Sequence, residues 1–97
     1  MSKFDDVVWI DHFAGGLKGT LVVNDFRVSL LAGSGFYSDP RENLEDPEDF
    51  ESFEIAVFNS NGDWATEEFF PEENDDVVGW QSREDINKLI EKIENHK

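Results

Sequence analysis

On either side of Asn24-Asp25 the chain alternates apolar and polar residues: "LKGTLVV" before it and "FRVSLLA" after it. Leu21 and Val23 fall on one face, and Phe26, Val28 and Leu30 alternate likewise. Asn-Asp is a two-residue connection of the kind that closes antiparallel hairpins. Period-two alternation across such a turn excludes a continuous helix over residues 17–32 and commits the chain to an antiparallel sheet.

A second hairpin is expected from "FEIAVF", residues 53–58, and "WATEEFF", residues 64–70, which flank "NSNGD". Phe53, Ile55 and Val57 then share one face, and Glu67 and Glu68 point to opposite sides of a strand. "GSGFYSDP" leaves the first hairpin as a loop or a short edge strand. Residues 2–14 support two readings. Ser2 followed by Asp5 resembles a helix N-terminus and Gly15-Gly16 could end a helix, whereas "VVWI" is β-branched and aromatic and suits a strand.

The helix over residues 82–95 is the clearest element. Ser82 suits the N-cap, and Glu84 and Asp85 sit in the first turn, where the helix dipole favours anions. Ile86, Leu89, Ile90 and Ile93 follow the i, i+3, i+4, i+7 stripe of a helix laid on a sheet. The expected fold is α+β: an antiparallel sheet of about four strands, a meander of two hairpins, with a C-terminal α-helix packed on one face.

Length and composition set the limits around that fold. At 97 residues the chain is expected to form one domain spanning residues 1–97. Nine Phe and three Trp set it apart from a disordered acidic tail. The absence of cysteine excludes a disulfide framework and a thiolate zinc site, and fits a reducing compartment. No apolar run approaches the ~20 residues that a membrane helix needs. "MSKFDDVVWI" places acids directly before its apolar run, unlike a signal peptide. A cytoplasmic location is expected.

The formal net charge is −15, and its placement is uneven. Residues 39–76 hold fifteen acids and one base, whereas the other 59 residues hold eight acids and seven bases. Duplex DNA carries one charge per about 1.7 Å of axis, so a net fourteen charges matches roughly 24 Å of duplex. A 97-residue domain is roughly 30 Å across. The segment therefore approaches the charge density of DNA over nearly the width of the molecule. Glu42, Glu45, Asp46, Glu48, Asp49, Glu51, Glu67, Glu68, Glu72, Glu73, Asp75 and Asp76 are the candidate partner-binding residues, expected to gather in one outward-facing surface.

Other chemistries find little support. Nucleophilic catalysis needs a base beside the nucleophile. The histidines are His12, next to Asp11, and His96, near the C-terminus. Acid–base work needs a pocket that drives two carboxyl pKa values apart, which a solvated acidic face does not supply. An EF-hand spacing begun at Asn74 fails at its fifth position, Val78, and one begun at Asn59 puts Trp64 where glycine is required. Gly33-Ser34-Gly35 lacks the lysine and the following helix of a phosphate loop. No catalytic residue, metal or cofactor is expected. Phe50, Phe53, Phe58, Trp64, Phe69 and Phe70 interleave the acids and are expected to serve mainly in packing. Phe70 or Phe36 is a candidate exposed anchor on a partner.

Small size, lack of cysteine, concentrated acidity over 39–76 and the compact α+β layout resemble phage-encoded anti-defence proteins, the anti-restriction and anti-CRISPR inhibitors that mimic DNA. The same features are similar to bacterial immunity proteins that neutralise nuclease toxins. Both resemblances imply an acidic inhibitor, not an enzyme, occupying the nucleic-acid site of a basic nucleic-acid-binding protein. Direct nucleic-acid binding is not expected, because phosphates are repelled. An acidic protein-interaction domain without mimicry is the other reading.

Overall fold

A computed structural model describes residues 3–73 and 75–96. Five strands form one sheet in sequence order: β1 (Val8–Asp11), β2 (Leu17–Val23), β3 (Phe26–Ala32), β4 (Ser52–Phe58) and β5 (Val78–Ser82). Every neighbouring pair is antiparallel. A short helix, α1 (Thr66–Phe69), lies between β4 and β5, and α2 (Arg83–Glu94) ends the fold. The α+β architecture read from the sequence stands, with one more strand.

The first hairpin forms as its alternation requires. Val23 pairs with Phe26 across Asn24-Asp25, and Asn24 takes a positive φ of 53°. The ambiguous N-terminal stretch is a 3-10 turn at Phe4–Asp6 followed by β1. The strand reading of "VVWI" holds because Trp9 turns onto the core while Val8 and Ile10 face outward, a two-residue period. Ser2, the proposed cap of the helical alternative, lies outside the described residues.

The second hairpin needs correction. Residues 64–70 form no strand beside β4: after an isolated Phe58–Trp64 bridge and an Ala65 N–H bond to Val57 O at 2.7 Å they turn into α1. Thr66 and Phe69 are buried while Glu67 and Glu68 are exposed, the i, i+3 pattern of a helix. Thr66 Oγ1 directs this departure. It accepts from Val57 N–H at 2.9 Å and donates to Asp76 O at 2.7 Å, so it ties α1 to both flanking segments. The place beside β4 goes to β5, whose two residues Gly79 and Trp80 oppose the single Glu54 in a bulge, with Trp80 at φ 53°.

Ser82 caps α2 as expected. Its Oγ accepts from Asp85 N–H at 3.1 Å, and the Asp85 carboxylate accepts from Ser82 N–H at 3.0 Å. At the other end Asn24 Nδ2 donates to Ile93 O at 3.3 Å, so the hairpin turn meets the last carbonyls of the helix. Ile86, Leu89, Ile90 and Ile93 are buried against Val28, Leu30, Phe53, Ile55 and Val57. Phe50, from the loop before β4, is fully buried with them.

The helix covers one face of the sheet. The register builds three cross-strand rows on the other: Ile10, Lys18, Leu31 and Glu54; Val8, Thr20, Ser29 and Ala56; Val22, Arg27, Phe58 and Trp64. In the last row the Arg27 guanidinium lies 4.7 Å from the centre of the Phe58 ring, which is 4.6 Å from Trp64.

Candidate partner-binding surface

The twelve candidate carboxylates fall into two groups, six on each of two connections. Glu42, Glu45, Asp46, Glu48, Asp49 and Glu51 lie on the β3–β4 connection, where Pro47–Asp49 makes a 3-10 turn capped by Asp46. Glu67 and Glu68 are on α1, and Glu72, Glu73, Asp75 and Asp76 are on the segment leading to β5. All twelve are exposed.

α2 separates the groups. Arg83, at its start, donates from Nη2 to Pro47 O at 2.8 Å. Lys92, in its last turn, donates from Nζ to Phe69 O at 3.4 Å, and His96 Nε2 lies 3.4 Å from Glu68 Oε2. Nine residues of helix between those anchors correspond to about 14 Å. The single surface expected from the sequence is therefore two acidic groups at opposite ends of α2, with Glu84, Asp85, Glu91 and Glu94 on the helix between them. The cause is topological. β4 intervenes between the two connections and carries the chain from one end of the sheet to the other.

Among the described residues the lysines and arginines are directed elsewhere than at these acids. Arg27 lies over Phe58, Arg41 over Tyr37 and Arg83 over Phe4 and Phe53, with Lys92 near Phe70. Lys88 pairs with Glu84, which is not one of the twelve, at 3.4 Å. Among the described residues no lysine or arginine forms a salt bridge with any of the twelve, and Glu68 meets only His96. These cations keep their charge, but among the described residues none lies within ion-pair distance of one of the twelve carboxylates.

The aromatic residues sort largely as expected, with Trp64 and the two candidate anchors as the exceptions. Phe50, Phe53 and Phe69 are buried, and Phe58 is half-buried. Phe70 and Phe36, the two candidate anchors, are also half-buried: Phe70 packs on the core and Phe36 sits 4.9 Å from the His12 ring. Trp64, assigned to packing, is exposed, as are Tyr37 and Trp80. Phe13 is 98% exposed at the β1–β2 turn, held by ring stacking with His12 at 4.6 Å. Sequence reasoning passed over Phe13. Its place beside Gly15-Gly16 is the one signal that marks a turn tip.

A groove of about 490 Å³ at the end of α2 is lined by Glu68, Glu72, Lys92 and His96, among others. Among the described residues no three acidic or histidine side chains converge to hold a metal. Asn74, the first position of the calcium-loop spacing, lies outside them. No described helix is long and apolar enough to cross a membrane. No protein-family model, curated protein or solved structure matches the chain.

Proposed function

We propose that this protein is an acidic inhibitor that occupies the nucleic-acid-binding site of a basic partner by charge mimicry. The observation that carries the reading is the set of twelve exposed carboxylates that no lysine or arginine of the chain engages among the described residues. A surface of this kind weakens its own fold through self-repulsion, a cost that capture of a basic groove would offset. The two groups flank α2, with the acids of the helix between them, and their anchors on α2 are about 14 Å apart, a length over which duplex DNA carries roughly eight charges. Lysines and arginines lining a nucleic-acid channel would meet carboxylates in place of phosphates, without a covalent step.

The mechanism is steric exclusion with electrostatic steering. Long-range attraction speeds encounter, and the contacts are lost as salt screens them. The test is a pull-down from host lysate, eluted with a salt gradient and challenged with duplex DNA. The expected partner is a basic nucleic-acid-binding protein that leaves at moderate salt and competes with DNA. Reversing four charges within 45–51 should abolish capture with the fold intact. Affinity unchanged from low to high salt removes the proposal.

A further inference from the structure

The sheet face opposite α2, open along β1 to β3 while Ser52, Glu54 and Ala56 of β4 are buried, is built unlike the rest of the surface. In a chain of net charge −15, the only carboxylate in its three rows is Glu54, which is buried and accepts from Tyr37 N–H at 3.2 Å. Its exposed apolar residues include Val8, Ile10, Val22 and Trp64, at 67%, 59%, 65% and 53% exposure. An apolar patch kept clear of the molecule's dominant charge marks an interaction site.

We infer that this face is the interface of a homodimer, two copies packing sheet to sheet. Charge placement selects a second copy. Two chains this acidic can approach only where acid does not meet acid, and these three rows hold no exposed carboxylate, the exposed Asp39 lying beyond them beside Ser52. Shape agrees. The middle row carries the small side chains Thr20, Ser29 and Ala56, so a two-fold axis along it lets two sheets approach to the usual ~10 Å. The same axis sets Lys18 over Val22 of the second copy and Arg27 over Leu31, so like charges stay apart. Area is at the lower limit. Strands of four, seven, seven, seven and five residues, spaced ~4.8 Å with a rise of ~3.4 Å per residue, give roughly 490 Å² per copy in projection, or just under ~1,000 Å² for the pair. A specific interface needs about 1,000 Å².

This inference is independent of the mimicry proposal and carries the opposite salt dependence. Screening relieves repulsion between two anions, so dimerisation should strengthen as salt rises. Sedimentation equilibrium of the full chain over a concentration series, at low and high salt, reads it directly. The expected mass moves from 11.1 kDa toward twice that value, and further at high salt. Val22→Glu places a carboxylate inside the face and should weaken association by on the order of tenfold or more. Its far-UV spectrum should stay native because the position is exposed. Phe13→Glu, off the face, should leave association unchanged. A monomer at every concentration and salt overturns the inference. So does a dimer that survives Val22→Glu, which would point to pairing through the β1 edge.

Discussion

Arg83 reaches from the first residue of α2 to the carbonyl oxygen of Pro47, 2.8 Å from Nη2, while its guanidinium lies over Phe4 and Phe53. One side chain thus ties an acidic connection to the helix that closes the core. Arg83→Met keeps the apolar stem and removes the donor and the charge. A charge-assisted hydrogen bond contributes about 1.5–3 kcal/mol, so urea denaturation should show a loss of about 2 kcal/mol. Proteolysis near residues 42–49 should accelerate by more than global stability explains.

Thr66 plays the corresponding part for the other acidic group. Thr66→Val preserves shape but leaves Val57 N–H and Asp76 O without the hydroxyl that links them. Each unsatisfied buried group costs about 1–3 kcal/mol. A fall in melting temperature of about 10 °C or more is expected for a domain of this size. Thr66→Ser, which keeps the hydroxyl, should recover most of it.

Removing the cap of α2 is a smaller perturbation. Ser82→Ala deletes the acceptor for Asp85 N–H. The expected loss is about 1 kcal/mol, read as a lower denaturation midpoint with an unchanged slope.

Self-repulsion predicts that salt stabilises the fold. Melting temperature should climb as sodium chloride is added, because the Debye length shrinks from ~10 Å at 0.1 M toward ~3 Å at 1 M. The triple substitution Glu48→Gln, Asp49→Asn, Glu51→Gln should melt higher at low salt and respond less to added salt. A melting temperature indifferent to salt in the parent chain contradicts this account.

Much of the architecture was legible because its signals are local. Alternation about Asn24-Asp25 specified β2 and β3, and Ser82 with the isoleucine–leucine stripe specified α2. The stretch 64–70 is not legible from sequence because "WATEEFF" satisfies two periods at once. Alternation suits its aromatics, but burial of Thr66 with Phe69 is helical, and the deciding contact is the tertiary bond from Thr66 to Asp76. β5 carries no strand signal because Gly79 and Trp80 form a bulge that breaks alternation. The bulge also accommodates Tyr37, whose Cβ lies 2.7 Å from where a Cβ on Gly79 would stand. The acidity of 39–76 was plain in the sequence. Its division was not, since the distance between two loops depends on how β4 is placed.

Strand order identical to chain order has a consequence during synthesis. Each strand leaving the ribosome finds its neighbour already present, so the sheet can zip up vectorially without waiting for a distant segment. Of these elements α2 emerges after the whole sheet, and until it arrives the apolar sheet lacks its covering helix, a state prone to clumping with other half-made chains. By then the polyanionic stretch has already been translated, and polysome neighbours bearing it repel one another during that interval.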